Sequence, residues 1–109
     1  MSAEECWYTS LAPLMSEIRA SFGAGPVYIT FDIDGLDPSC APGTGTPEIG
    51  GLTTTQGMEI IRGCWGLDVI GGDLVEVSPP YDASGNTSLL AANLLFEMLC
   101  VLPGVMRRD

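Results

Sequence analysis

The residues best suited to chemistry in this 109-residue sequence are two aspartates that follow an apolar run. Asp32 and Asp34 come directly after residues 27–31, whose β-branched and aromatic side chains predict a buried strand. In an extended chain, side chains two residues apart point to the same side, roughly 6.5–7 Å apart. We therefore expect both carboxylates at the carboxyl end of the strand, where open parallel sheets bind ligands. Such a pair suits Mg²⁺ or Mn²⁺, and by itself it is explained equally well by loop capping.

The acidic segment also shares features with two known motifs. An EF-hand loop fails because, counting from Asp32, Asp37 occupies the required glycine position and Leu36 the fifth position. A phosphatase of the haloacid dehalogenase type also places Asp-x-Asp-Gly after an apolar strand. In that case Asp32 is the nucleophile and Asp34 the general acid, with Mg²⁺ beside them. That motif usually continues with Thr or Val, whereas this sequence continues Leu36-Asp37-Pro38.

The elements that must position these aspartates alternate between helix and strand. Helical spacing of apolar residues predicts a helix over residues 11–22, and the capping-box pattern at 53–56 predicts a second one that runs towards Gly66. A second strand is expected within residues 68–77 and is best placed on residues 74–77. Such alternation predicts parallel strands and a three-layer α/β/α architecture. Since two strands cannot form such a sheet alone, we expect the chain to be part of a larger fold.

The remaining segments are a long loop and a final helix. Residues 35–51 are rich in Gly, Pro, Ser and Thr and predict a loop, and long ordered loops are often functional. Thr87 is expected to cap an apolar helix that continues to Pro103 and Gly104. That helix is apolar on most of its circumference, which predicts neighbours on several sides.

Composition excludes several classes of function. The net charge of −10 argues against binding DNA or RNA, and an acidic chain suits a small cation or metal ions better. No apolar stretch is long enough to cross a bilayer, so no membrane partner is expected. The sequence has no His, so it cannot complete a Ser-His, Cys-His or His-ligated metal site from its own residues. Its four cysteines form no C-x-x-C pair and are expected to be reduced, mostly buried thiols.

Longer motifs in the sequence closely resemble the ureohydrolases, the family of arginase and agmatinase. The matching stretches are FDIDGLDP (31–38), APGTGTPE (41–48), GGLT (50–53) and DLVEVSPPYD (73–82). The resemblance covers essentially everything from Val27 to about Leu102. The VSPPYD segment is similar to agmatinases and guanidino acid hydrolases rather than to arginases, and most of all to the animal mitochondrial members.

The resemblance implies roles for three residues of this sequence. Asp32 would bridge two Mn²⁺ ions, Asp34 would ligate one of them, and Glu76 would accept hydrogen bonds from the guanidinium group of the substrate. The position of Glu76 agrees, because it ends an apolar strand at the same sheet edge and a carboxylate matches a planar guanidinium. The family's other metal ligands, two His and two Asp, and its acid/base His belong to upstream motifs that this sequence lacks. No catalytic residue is therefore assigned.

The resemblance also implies what the complete enzyme does. Residues 1–109 would be the C-terminal portion of an arginase-like domain. The complete enzyme would hydrolyse agmatine or a guanidino acid to urea and an amine, which is putrescine if the substrate is agmatine. The enzyme would be a homo-oligomer, mitochondrial by resemblance or alternatively cytoplasmic. A fragment of a dehalogenase-type phosphatase and an inactive truncated remnant are the alternatives.

The missing ligands lead to a first prediction. We expect the purified 109-residue chain alone to hold no two-metal cluster and to release no urea from agmatine, because carboxylates from one strand cannot fill two coordination spheres. The measurement is urea release in the presence of Mn²⁺, compared with a blank that contains the metal only. Release above that blank would refute the prediction.

Overall fold

The computed structural model describes residues 1–105. In chain order, its helices and strands are α1 (Ala3–Cys6), α2 (Ala12–Phe22), β1 (Pro26–Asp32), α3 (Thr54–Gly63), β2 (Asp68–Val75) and α4 (Asn86–Cys100). Short 3-10 turns lie at Ile33–Gly35 and Pro79–Tyr81. The predicted alternation of helix and strand is confirmed. None of the helices in the described range is long and apolar enough to span a bilayer.

Strands β1 and β2 pair in parallel, and their register fixes the edge where the acidic residues lie. Asp32, the last residue of β1, is the partner of Val75, the last residue of β2. Along β1, exposed and buried residues alternate. This corrects the prediction of a strand buried throughout, because the helices of residues 1–105 cover one face of the sheet and leave Tyr28 and Thr30 on the other face exposed.

The covered face of the sheet packs against helices to form the core. The buried side chains of this face and of the helices form one continuous cluster. Burying an aliphatic or aromatic side chain contributes about 1.5–3 kcal/mol, so this cluster is a major source of the stability of the chain. Gly57 lets α3 pack closely against Leu36, since a Cβ at this position would lie only 3.2 Å from Leu36 Cδ2. The most deeply buried large side chains are Leu11, Ile33, Leu36, Ile61 and Leu94.

The second strand lies within the expected window, residues 68–77, but not where it is best placed from the sequence. The preferred placement is 74–77, whereas β2 spans Asp68–Val75. The first half of β2 is not recognised from the sequence, because the strand contains two adjacent glycines and glycine is unfavourable in strands. A close approach explains Gly72, where a Cβ would lie 3.0 Å from both the Ile29 carbonyl oxygen and Met98 Sδ. The strand stops before Glu76, whose φ of 67° does not continue an extended chain.

The helix ends follow the predictions in part. At α3 the capping box is confirmed, because Thr53 Oγ1 accepts from the Gln56 N–H at 3.1 Å and Gln56 Oε1 accepts from the Thr53 N–H at 3.1 Å. At α4 the prediction of a Thr87 cap is wrong. The N-cap is Gly85, in the left-handed conformation, and Thr87 lies inside the first turn. Helix α4 also ends at Cys100 rather than at Pro103.

Two long-range contacts join elements that the sequence pattern does not relate. Arg62 of α3 and Glu97 of α4 form a bidentate ion pair, with Nε to Oε2 at 2.9 Å and Nη2 to Oε1 at 2.7 Å. The indole N–H of Trp7, which follows the unpredicted helix α1, donates to the Gly50 carbonyl at 2.9 Å. The second contact ties the N-terminal segment to the end of the long loop.

The exposed apolar surface gives a second prediction. We expect the isolated chain to be poorly soluble, because an uncovered apolar sheet and helix surface promotes association. The measurement is size-exclusion chromatography with thermal melting at micromolar concentration. A sharp monomeric peak with a cooperative melt would contradict this expectation. The exposed side chains concerned include Tyr28 (57%), Ile70 (65%), Phe96 (61%) and Leu99 (59%).

Candidate metal centre at the carboxyl end of the sheet

Asp32 and Asp34 lie together at the end of β1, but not on an extended chain. Asp32 is the N-cap of the 3-10 turn Ile33–Gly35, and its Oδ1 accepts from the Asp34 N–H at 3.1 Å. Aspartate readily forms such a turn with the backbone two residues on. The predicted strand geometry is therefore wrong for Asp34. The two carboxylates nevertheless remain neighbours, close enough for Asp34 to perturb the pKa of Asp32.

The third acidic residue, Glu76, reaches the same place from the other strand. It directly follows Val75, the register partner of Asp32. Its φ of 67° lies in the left-handed region, which a residue other than glycine adopts at a cost of about 1–3 kcal/mol. Strained backbone of this kind concentrates at functional sites, so the conformation marks Glu76 as a functional candidate. Its side chain is exposed.

The electrostatics at Asp32 favour a cation. Burial raises the pKa of Asp32 above its usual value, and the nearby charges of Asp34 and Glu76 raise it further, against the lowering effect of the Asp34 N–H. Like charges held together disfavour ionisation, and a bound cation removes that repulsion. We call Asp32, Asp34 and Glu76 the acidic cluster.

The long loop supplies a contact that the sequence pattern does not reveal. Thr46 Oγ1 donates to Asp34 Oδ2 at 2.7 Å, across twelve residues of chain. The pattern assigns no individual role to the loop residues 41–48, because Gly and Pro there are explained by turn geometry alone. On the same loop, Thr44 is 3% exposed and its hydroxyl has no partner among the described residues. A buried hydroxyl without a partner costs about 1–3 kcal/mol, which makes this segment unusual.

Other carboxylates near the sheet serve the fold instead. Asp73 accepts from Thr30 Oγ1 at 2.6 Å and from Tyr28 Oη at 3.0 Å on the uncovered face. Asp37 accepts from the backbone N–H groups of Ser39 and Gly50, at 2.9 and 2.8 Å, and hydrogen bonding from these residues lowers its pKa. Since their oxygens are already occupied, Asp73 and Asp37 are poorer candidates for a ligand than the acidic cluster.

The donor chemistry fits manganese in part. Carboxylate oxygens are ligands that Mn²⁺ accepts, and Asp32 and Asp34 present two such groups side by side. Within residues 1–105, however, no group of three or more His, Cys, Asp or Glu side chains is arranged to hold a metal ion. The described residues therefore offer two carboxylates of a kind that Mn²⁺ accepts, and they do not complete a coordination sphere.

Comparison with known proteins identifies the family. Residues 1–100 match the model of the arginase family. The chain is 76% identical over 108 residues to a guanidinobutyrase of Pseudomonas aeruginosa, a match that covers 99% of this chain and 34% of that protein. It is 74% identical over 103 residues to a mitochondrial agmatinase of Gallus gallus, covering 94% of the chain and 30% of that protein.

Solved structures agree on the fold. The crystal structure of a hypothetical agmatinase from Burkholderia thailandensis superposes with a TM-score of 0.86 at 43% identity, over 92% of this chain and 32% of that one. The predicted α/β fold class of the arginase type is thereby confirmed. The chain spans about a third of the length of these relatives. The motifs, the fold and the family match together show that this chain belongs to the arginase family.

Proposed function

We propose that the complete enzyme carrying this sequence is a manganese-dependent ureohydrolase, which hydrolyses a guanidino compound to urea and an amine. The observation that carries the proposal is the family match over residues 1–100, which includes the acidic cluster at the end of the parallel sheet. The relatives named guanidinobutyrase and agmatinase, at 76% and 74% identity, support this class of reaction.

Asp32 and Asp34 are proposed to hold the metal. When bound, two Mn²⁺ ions supply Lewis acidity and lower the pKa of a water molecule, the chemistry that guanidine hydrolysis needs. The chain's part is to fix the carboxylates. The 3-10 turn orients Asp32 against Asp34, and the hydroxyl of Thr46 holds one oxygen of Asp34. We propose that Asp32 bridges the two ions and that Asp34 binds one.

Glu76 is proposed to bind the guanidinium group. Its two carboxylate oxygens accept hydrogen bonds from a planar donor, which orients the substrate beside the metal ligands. The register that pairs Asp32 with Val75 places Glu76 at the same edge of the sheet. The net charge of −10 favours the approach of a cationic group.

The substrate class is a guanidino compound with either an amine or a carboxylate at its far end, since the similar relatives are named for both kinds. Agmatine would give putrescine as the amine. We propose a mitochondrial location from the resemblance to the mitochondrial relative. A cytoplasmic location is the alternative, because the bacterial relative is slightly more similar, at 76% identity against 74%. The full-length enzyme is proposed to form a homo-oligomer. A dehalogenase-type phosphatase is disfavoured by the family match.

The proposed ligand roles predict unequal effects of two substitutions. In the full-length enzyme, Asp32→Ala is expected to lose more manganese and more activity than Asp34→Ala, because a bridging ligand serves two ions. The measurement is metal content by mass spectrometry, together with urea release. Full manganese occupancy in the Asp32→Ala enzyme would show that Asp32 is not the bridging ligand.

The role of Glu76 is tested by Glu76→Gln in the same enzyme. The substitution keeps the shape but turns a donor amide towards a guanidinium group that can only donate. Losing a charge-assisted hydrogen bond predicts a fall in kcat/KM of roughly 10- to 150-fold, with manganese content unchanged. Urea release and metal content are measured on the same preparation. A kcat/KM within twofold of the unmodified enzyme would mean that Glu76 is only a surface residue, and loss of manganese would place it among the metal ligands.

A further inference from the structure

A buried polar network joins the long loop to the start of α4. The Gly43 N–H donates to Thr87 Oγ1 at 2.9 Å, and the Thr87 N–H donates to Asp82 Oδ2 at 2.6 Å. Thr87 is fully buried, and Asp82 is 8% exposed. The second oxygen of Asp82 accepts from the hydroxyl of Ser84 at 2.7 Å and from its N–H at 3.2 Å. We call Asp82, Thr87 and Gly43 the loop anchor.

Both backbone polar groups of Gly43 are hydrogen-bonded. While its N–H binds Thr87, the Gly43 carbonyl accepts from the Ser78 N–H at 2.7 Å, just beyond the end of β2. The fit around Gly43 leaves no room for a side chain, since a Cβ there would lie 2.8 Å from Thr87 Cβ and 2.9 Å from Asp82 Cβ. The backbone of Gly43 is therefore fixed between the segment after Glu76 and the first turn of α4.

Gly43 lies close in sequence to the part of the loop that reaches the acidic cluster. Three residues after Gly43, Thr46 donates to Asp34. Residues 45–49 are exposed, so few packing contacts determine where this tip lies. Its position depends on the anchors at its two ends. These are Gly43 on one side and, on the other, Gly50, whose N–H donates to Asp37 Oδ2 at 2.8 Å.

We propose that Thr87 and Asp82 are positioning residues, which fix Gly43 and so place Thr46 against Asp34 in the geometry that binds the metal. This inference rests on the proposed function. Neither residue touches the acidic cluster, and each acts through the loop. Groups that orient metal ligands without touching the metal typically weaken metal binding when they are mutated.

The charge on Asp82 strengthens the loop anchor. Hydrogen bonds from Ser84 and Thr87 lower the pKa of Asp82 to about 2, so the carboxylate stays ionised at neutral pH. Hydrogen bonds to a charged acceptor are stronger than neutral ones. The Thr87 backbone is thus held firmly, and its hydroxyl is aimed at Gly43.

The test compares Thr87→Val with Thr87→Ser in the full-length enzyme. Valine keeps the volume but leaves the buried Gly43 N–H unpaired, whereas serine keeps the acceptor. For Thr87→Val we expect Mn²⁺ binding to weaken roughly three- to tenfold, the equivalent of one neutral hydrogen bond. In the metal-free enzyme, amide hydrogen exchange across residues 41–48 should become faster. Thr87→Ser should restore both measurements to within twofold of the unmodified enzyme.

A double-mutant cycle with Thr46→Val tests whether the anchor acts through the loop tip. If it does, Thr87→Val should weaken Mn²⁺ binding no further in an enzyme that already carries Thr46→Val. Gly43→Ala is a second way to displace the loop, and it should weaken Mn²⁺ binding in the same direction. The matched control is Glu97→Gln, which weakens the ion pair between α4 and Arg62 of α3, and both residues of this pair lie outside the loop. It should lower Tm without changing Mn²⁺ binding or exchange at 41–48.

Two results would overturn the inference. One is unchanged Mn²⁺ binding and exchange in Thr87→Val. The other is an equal loss of Mn²⁺ binding in Glu97→Gln, which would mean that Thr87 contributes only general stability. Neither readout requires turnover. An unmodified enzyme that binds Mn²⁺ but releases no urea would therefore count against the proposed function and not against the loop anchor.

Discussion

The parallel pairing of β1 with β2 is the constraint on which the candidate site depends. Its register sets Asp32 opposite Val75, so that Glu76, the next residue, arrives at the same edge of the sheet. A slip of one residue would turn the side chains of a strand to the opposite face. Burial of alternate residues of β1 against the helices prevents such a slip. The packing of the core therefore fixes the geometry of the acidic cluster.

The long loop, residues 35–51, is also held by contacts to the sheet and the helices. The isolated parallel bridge between Leu36 and Leu52 joins the two ends of the loop near the sheet, and the loop anchor holds its middle at Gly43. The exposed tip, residues 45–49, lies between Gly43 and Gly50, and the Gly50 N–H is held by Asp37. A threonine on such a segment can reach Asp34 reproducibly because the segment is short and held at both ends. Contacts outside the site therefore offset the conformational entropy that is lost when the loop is ordered.

Local patterns in the sequence predicted those features that depend on neighbouring residues. The strand before Asp32 and the capping box at Thr53 are of this kind, and both are present. Thr87 shows where such reasoning fails, because its hydroxyl is occupied by Gly43, 44 residues away, and Gly85 takes the cap. Glu76 was identified from family motifs and its place at a strand end, but nothing in the pattern indicated its left-handed backbone.

The uncovered face of the sheet and the two-carboxylate ligand set are both features of a chain that covers only part of the length of its relatives. The chain spans about a third of the length of these relatives. The proposed function requires that the second helical layer and the other metal ligands come from residues outside this sequence. The most direct test is a chimera, in which this sequence replaces the aligned third of the guanidinobutyrase of Pseudomonas aeruginosa. We expect the chimera to bind manganese and to release urea, and to lose both with Asp32→Ala. A cooperatively folded chimera that binds no manganese and releases no urea would contradict the account.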